Sequence, residues 1–560
     1  MASSWSFPTP PPPPSKEDIQ ANGIPLLQQA ARHAKENRIL LSEWPQENEH
    51  AQVVSYASVL SKASSVASFL DRSRQESSKY SSNFVAHSSV PGSDYIACQW
   101  GAFGAGMTSV PLATSQKVPE LEHVLEDANP HVILIGDHPQ AAANQKEVLQ
   151  AAENIGMADR IVHLQECLDS ASNEEEYWLG KSCSDLDTPA ILLYTSGTTG
   201  KPKGVVHTHR NLYHQVTDLV TSWEWQPDDI ALHVLPLHHV HGVVNVLSCA
   251  AYAGARLQFQ PFHAETLWNQ WAGMDDKAAT TQELLPKPNI LMAVPTIYAK
   301  LLEAASTLPP QVVETAVATT LSPMRLMVSG SAALPVSILY NWKDLTGHTL
   351  LERYGMTEFA MALSNPYQPV SSRQPGHVGL PLPSVQVRLV DESTGQSITT
   401  PNVPGSLQVK GPTVFTQYLN RPEATEEAFT EDGYFETGDV AEYNDELDSW
   451  RILGRASVDI IKTGGHKLSA LEIERELLEH PNIIEVVIVG IPGDEIWGES
   501  VGMIGRLKPK TKEPSLQEIR TWSEPRMAKH KLPTRLLWAQ DIPKNAMGKY
   551  NKKELVKQFY

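Results

Sequence analysis

Thr195-Ser196-Gly197-Thr198-Thr199-Gly200-Lys201-Pro202-Lys203-Gly204 is the stretch around which the chain is organised. The apolar run 190–194 leads into it and reads as a buried strand. A helical pattern follows over about 211–220. Strand, Gly/Thr/Ser-rich loop and helix form a layout that binds phosphate. Glycines let backbone N–H groups approach an anion closely. The hydroxyls of Thr195, Ser196, Thr198 and Thr199 add donors, and Lys201 and Lys203 add compact positive charge. An ordinary turn needs one or two Gly, Asn or Asp residues, not a whole run of this kind. The Gly and Lys spacing fits neither GxxxxGK[ST] nor GxGxxG.

At 560 residues the chain is long enough for two or more domains. An apolar share of 41% fits a globular protein. The longest apolar run, 243–255, is interrupted by Asn245 and Ser248 and is too short for a membrane span. Cys98, Cys167, Cys183 and Cys249 are widely spaced, which argues against a disulfide framework or a zinc site and fits a reducing compartment. The net charge of −19 disfavours nucleic acid and anionic membrane surfaces as partners. Residues 455–560 carry 18 Lys+Arg against 14 Asp+Glu, a net of +4, which leaves −23 on the rest. Residues 1–15 are rich in Pro and Ser and contain no basic residue, so a disordered tail and a cytoplasmic location are expected, with a mitochondrial one left open by the family resemblance described below. The C-terminal Lys557-Gln558-Phe559-Tyr560 is not a peroxisomal address.

Helical patterns at 57–70 and 119–125 alternate with strand-like runs at 132–135 and 160–162. Such alternation predicts a layered α/β architecture with parallel strands. His238-His239-Val240-His241-Gly242 places three histidines in four positions, but no carboxylate or cysteine stands nearby, so a pocket wall is a better reading than a metal site. An apolar helix over 243–250 should follow. The strand 290–294 runs into Pro295, a helix start, with Lys300 more than one turn in. A second strand, 324–329, ends in Gly330-Ser331-Ala332-Ala333, small residues against which a flat ring could lie. Three more motifs follow: Arg353-Tyr354-Gly355-Met356-Thr357-Glu358, Thr437-Gly438-Asp439 and Pro543-Lys544-Asn545-Ala546-Met547-Gly548-Lys549.

These motifs, in this order, resemble the adenylate-forming enzymes: acyl-CoA synthetases, luciferases and peptide-synthetase adenylation domains. The resemblance implies an α/β fold with a large N-terminal domain of layered α/β subdomains and a small mobile C-terminal α+β domain. The expected division is a disordered tail over 1–20, an AMP- and acid-binding domain over 21–454 and a lid over 455–560. ATP and CoA are implied as substrates, with Mg²⁺, and no nucleic-acid or membrane-spanning role; the chain is expected to be a monomer or homodimer. The nucleotide set implied is Thr195, Ser196, Gly197, Thr198, Thr199, Gly200, Lys201 and Lys203; Gly330, Ser331 and Ala332 against adenine; Arg353, Tyr354, Gly355 and Met356; and Asp439 and Arg455 at the ribose. Thr357 matches the α-phosphate hydroxyl, while Glu358, with Thr198, matches the Mg²⁺ ligands.

Lys549 matches the adenylation lysine, which stabilises charge growing on phosphate oxygens. Gly464, Gly465, His466 and Lys467 match the segment that serves thioester formation. Ser457 aligns with the hinge, where the family often carries Asp or Lys. His241 matches the residue beside the substrate carboxylate. Within the family, the motifs around His241, Lys300, Gly330 and Arg353 look most like malonyl-CoA synthetases. Malonate or methylmalonate is the implied acid, with Lys300 and Arg353 as candidates for its distal carboxylate. Two other readings stay open: a medium-chain or aryl acyl-CoA ligase, and a protein that holds nucleotide or acyl-adenylate without turnover.

Overall fold

The structure, a computed structural model, describes residues 5–43, 52–76, 82–136, 142–170, 185–195, 202–274, 286–463, 466–493, 498–544 and 550–560. Two large sheets form the body. The first runs in the order Gln417–Tyr418, Gly204–Thr208, Pro189–Tyr194, Thr108–Pro111, Phe84–Ser88, Val132–Ile135 and Ile161–His163. Its last five strands pair in parallel. They are short, nearly continuous apolar runs, as expected of strands covered on both faces. The alternating helices Tyr56–Glu76, Ser93–Gly104, Val118–Ala128 and Ala142–Asn154 supply that cover.

The second sheet has nine strands, with Leu351–Tyr354, Leu326–Ser329, Ile290–Ala293, Ile230–His233 and Arg256–Phe259 running parallel through its middle. The helix Pro295–Thr307 packs Tyr298 into this sheet, where its hydroxyl donates to the Val328 carbonyl (3.0 Å). A five-stranded antiparallel sheet then leads, through Phe435–Asn444 and Ser449–Arg455, to the C-terminal part. There the hairpin Ile460–Thr463/His466–Ser469 precedes the helix Ala470–Leu477 and a three-stranded sheet. The helices Leu516–Ser523 and Lys552–Phe559 complete it. The apolar clusters divide along the chain. Four draw on residues up to Ile452, and two draw only on residues from Ile461 onward.

Three expectations are corrected. The phosphate-type loop is not followed directly by a helix. The chain first returns as Gly204–Thr208, antiparallel to Pro189–Tyr194, and the helix begins at His209. Thr208 caps that helix by accepting from the Asn211 N–H. The segment after His241 is not a plain α-helix: His241–Ser248 is a π-helix that continues as Cys249–Ala253. The tail expected to be disordered over 1–20 is described from residue 5. Ser15 and Asp18 form a capping box for the helix Lys16–Asn22, and the Tyr213 hydroxyl donates to the Pro12 carbonyl (2.8 Å). Of the four cysteines, Cys98, Cys167 and Cys249 are buried, and Cys183 lies outside the described residues.

One buried ion pair ties the second sheet to its neighbours. Asp229, 1% exposed, accepts from Arg325 Nε (2.7 Å), Asn289 Nδ2 (2.9 Å) and the Gln226 N–H (2.6 Å). Removing the carboxylate strands three donors and a cation. Asp229→Ala should therefore cost about 3 kcal/mol of stability. A thermal-unfolding midpoint equal to that of the parent protein would contradict this.

Candidate active site at the phosphate loop and the body–lid junction

The first sheet returns its chain at the phosphate-type loop. The Thr195 N–H donates to the Lys203 carbonyl (3.0 Å), and the Lys203 N–H donates to Thr195 Oγ1 (3.1 Å). Ser196, Gly197, Thr198, Thr199, Gly200 and Lys201 lie outside the described residues. Lys203 places its ammonium 4.6 Å from the centroid of the Tyr418 ring. The Tyr418 hydroxyl donates to Glu358 Oε1 (2.9 Å). The Phe415 N–H donates to the Glu358 carbonyl (2.7 Å), and His207 Nε2 bonds the Thr357 carbonyl (2.7 Å). The hairpin, Thr357-Glu358 and the short strand Gln417–Tyr418 thus converge. Tyr418 was not singled out in the sequence, because only long-range strand pairing brings it here.

Burial holds the Glu358 carboxyl above its usual range, and the Tyr418 hydrogen bond pulls it back. Among the described residues no group of three His, Cys, Asp or Glu side chains could hold a metal. A cation at Glu358 would therefore draw its remaining ligands from elsewhere. A hard Mg²⁺ fits one carboxylate combined with nucleotide phosphate oxygens. Gly355 has no alternative at its position, since a Cβ there would lie 1.8 Å from the Ala360 carbonyl oxygen. Met356 lies in the same turn and packs against the core.

Asp439 gathers the ribose candidates. The Tyr354 hydroxyl donates to Asp439 Oδ2 (2.5 Å), and Arg455 Nε stands 3.2 Å from Asp439 Oδ1. Asp439 and Arg455 are cross-strand partners, so the pairing is built into the register. Gly438 provides the left-handed turn before Asp439 (φ +71°).

A second centre lies where the strand Leu351–Tyr354 passes the turn after Leu326–Ser329. Arg353 is 4% exposed, and neither Nε nor Nη2 has a hydrogen-bond partner among the described residues. Burial pushes it down to about 9, so it remains cationic near neutral pH. Gly330 allows the close approach: a Cβ there would sit 2.3 Å from the Arg353 Cζ. His241 Nδ1 bonds Ser331 Oγ (3.1 Å), while its buried Nε2 has no partner. Burial first, then the Arg353 charge, keeps the imidazole neutral. Ser331 and Ala332 present a partly open lip of small residues beside this pair.

Glu352, next in sequence to Arg353, accepts from the Leu334 N–H (3.1 Å) and is pushed up to about 7 by burial. Arg475, from the C-terminal part, acts in the opposite sense on it. Arg353 and His241 come together as the motifs suggested. Lys300 does not join them: it lies exposed on the helix Pro295–Thr307. Pro295 opens its helix as expected, but a position one turn further along this face points toward solvent. In the C-terminal part, Ser457 is exposed in a turn, and the His466 ring stacks on His530 (centroids 4.3 Å apart). Gly464, Gly465 and Lys549 lie outside the described residues, as does the side chain of Lys467.

Comparisons with known proteins add to this geometry. A profile of the AMP-binding enzyme family matches residues 27–419, and one of the AMP-binding enzyme C-terminal domain matches residues 472–549. Malonate–CoA ligase ACSF3, mitochondrial, of Xenopus laevis is 44% identical over 492 residues, covering 84% of this chain and 81% of the relative. A malonate–CoA ligase of Arabidopsis thaliana is 39% identical over 483 residues, covering 83% and 76%. The crystal structure of ATP-bound MatB from Rhodopseudomonas palustris superposes with a TM-score of 0.80 at 28% identity, covering 96% of this chain and 99% of that one.

The Tyr418–Glu358 bond carries a pH prediction. A cation binds the carboxylate form. Tyr418→Phe removes the donor that lowers the Glu358 value, so Glu358 protonates at higher pH on acidification. Mg²⁺-dependent ATP binding should fail at a higher pH in the variant than in the parent, measured from about pH 5 to about pH 8. Superimposable acid limbs would remove Glu358 from metal binding.

Proposed function

The chain belongs to the AMP-binding enzyme family, and from that premise we propose that it is an ATP-dependent acyl-CoA synthetase acting on malonate or methylmalonate. The observation that carries the choice of acid is Arg353, a buried cation with unpartnered Nε and Nη2 beside a neutral His241. A monocarboxylate offers one anionic end, and adenylation consumes it. A dicarboxylate offers a second for a guanidinium to hold. The malonate–CoA ligase names of the relatives support the same acid.

A carboxylate is a poor electrophile, and the reaction overcomes this in two steps. One carboxylate oxygen attacks the α-phosphorus of ATP; pyrophosphate leaves and acyl-AMP forms. The sulfur of CoA then attacks the acyl carbon, and AMP departs with the electron pair of the broken C–O bond. On this reading the phosphate loop, with Thr195 and Lys203 at its closing rungs, holds the triphosphate. Thr357 serves the α-phosphate. Asp439 and Arg455 serve the ribose, and the lip Gly330, Ser331 and Ala332 serves the adenine. Mg²⁺ bound at Glu358 would offset charge as pyrophosphate leaves. His241 keeps a neutral ring beside the reacting carboxylate, so it offers a hydrogen bond without a competing full charge. Lys549 serves the first step, and the segment Gly464, Gly465, His466 and Lys467 serves the second.

We assign 21–454 to the body and 455–560 to the lid, a division supported by the separation of apolar clusters between Ile452 and Ile461. Ser457 then lies at the exposed start of the linker. The mitochondrial address in the name of the Xenopus relative gives the cytoplasmic expectation a rival, which imaging of the tagged protein decides.

AMP release should be measured with ATP, Mg²⁺, CoA and a panel of malonate, methylmalonate, succinate, acetate, hexanoate and cinnamate. Turnover confined to the first two is the expected result. Turnover on monocarboxylates alone would keep the reaction and overturn the acid. Silence on every acid would favour a non-catalytic binder. Arg353→Met should raise KM for malonate by about tenfold or more, the worth of a charged hydrogen bond, and leave KM for a slowly used monocarboxylate within about threefold. Equal changes for both acids would remove Arg353 from the distal carboxylate.

A further inference from the structure

Lys552 opens the C-terminal helix and is buried (8% exposed), an unusual place for a lysine. Its ammonium lies 2.7 Å from Asp459 Oδ1 and 2.7 Å from Glu474 Oε1. These carboxylates lie on different elements, the linker turn and the helix that follows it. Glu474 sits on the helix Ala470–Leu477, where Oε1 also accepts from the Ile488 N–H (2.8 Å) of the lid sheet. Asp459 sits at the end of the turn that joins body to lid. Its Oδ2 accepts from the Arg455 N–H (3.0 Å), and its own N–H donates to the Arg455 carbonyl (2.8 Å). Gly454 makes room for this turn: a Cβ there would lie 2.5 Å from the Asp459 Cβ, and its φ is +123°.

Arg455 is itself fastened to the body by Asp439, and the Ala456 N–H donates to the Gly438 carbonyl (3.0 Å). A continuous run of polar contacts therefore leads from the nucleotide-side carboxylate Asp439, through Arg455 and Asp459, to Lys552. Lys544, just before 545–549, and Tyr550, just after it, both bind Glu485 Oε1, at 2.7 and 2.6 Å. The segment that ends in Lys549 is thus bracketed by three tethered residues, and of these Lys552 alone reaches the linker turn.

We propose that Lys552 is a positioning residue for adenylation: by bridging Asp459 and Glu474 it registers the start of the C-terminal helix to the body–lid linker. The inference rests on reading Lys549 as the adenylation lysine. The chemistry suits the role. An ammonium between two carboxylates is held by both and satisfies neither fully, so it fixes the helix start in two directions. Burial alone would pull Lys552 down, yet Glu474 and Asp459 together hold it above the usual lysine value. The ammonium therefore keeps its charge, while burial first, and Asp459 with it, push the Glu474 carboxyl above its usual value against the pull of Lys552. A lysine that must meet growing negative charge on phosphorus tolerates little misplacement, and an error of about 1 Å can cost about a hundredfold in rate.

The test separates the half-reactions in the full chain. Adenylation is read as malonate-dependent exchange of pyrophosphate into ATP without CoA. Transfer is read as malonyl-CoA formed from supplied malonyl-AMP and CoA. Lys552→Met should lower exchange by at least about tenfold and leave transfer within about twofold. Lys552→Arg, which keeps the charge, should recover at least half of the loss. Asp459→Asn keeps an acceptor for the Arg455 N–H and loses only the charge on the linker side; it should fall in the same direction and keeps the test open if Lys552→Met does not fold. Equal losses in both half-reactions, or none in exchange, would overturn the role. Lys549→Ala run alongside distinguishes the premise: exchange that survives it sinks the reading of Lys549, whereas exchange lost there but intact in Lys552→Met and Asp459→Asn sinks only the role of Lys552.

Discussion

Arg353 is charged, buried and short of partners, and a group in that condition is costly to keep unless something answers its charge. The fold withholds the obvious answer. Glu352 is its neighbour in sequence, but successive strand residues face opposite sides, and Glu352 spends itself on the Leu334 N–H. Gly330 removes the side chain that would otherwise fill the space against the guanidinium. Ser331 turns the nearest imidazole so that its bonded nitrogen faces away from the unpartnered one. Every neighbour either makes room or stays neutral. On the proposed reading this is the hollow that the second carboxylate of the acid fills.

That hollow is useful only because two sheets bring it beside the phosphate loop. The antiparallel return Gly204–Thr208 puts His207 on the Thr357 carbonyl, and Gln417–Tyr418 adds to the same edge and puts a tyrosine between Lys203 and Glu358. Thr357-Glu358 is thus held from the first sheet, while Arg353, four residues earlier, belongs to the second. The six-residue motif spans the joint between sheets, so on the proposed reading an acid at one end and a nucleotide at the other would meet at fixed separation.

Much of this was legible in the sequence, and the reasons differ by element. The parallel strands announced themselves, because burial on both faces leaves an unbroken apolar run, as at Val132–Ile135 and Ile290–Ala293. Tyr354, Asp439 and Arg455 were expected to share a ligand, and they are found joined to one another. The return strand Gly204–Thr208 was missed, since Val205-Val206 next to a helix start reads as a helix lead-in when the partner strand is unseen. The exposure of Lys300 was not legible, because type and spacing carry no information about which face of a helix is covered. Its helix buries Tyr298 and Leu301, the residues on either side of the turn, and that leaves Lys300 outward. Tyr418 carries no local signal at all; its role exists only through long-range pairing.

The lid obeys a different logic from the body. The body's side chains are fixed by sheets and serve both steps of the proposed reaction at one place. The lid's groups are needed one step at a time, so its constraint is not rigidity toward the body but internal registry that survives a change of setting. Its ion pairs fit that need. Glu485 binds Lys544, Tyr550 and Arg506 within the lid, and Lys552 binds Glu474 within the lid. Asp459 faces both ways, toward Lys552 and toward the backbone of Arg455. Arg475, on the helix Ala470–Leu477, also faces the body, where its charge acts on Glu352. On the proposed reading a swing at 456–458 keeps the pairs inside the lid and exchanges the Arg475 contact.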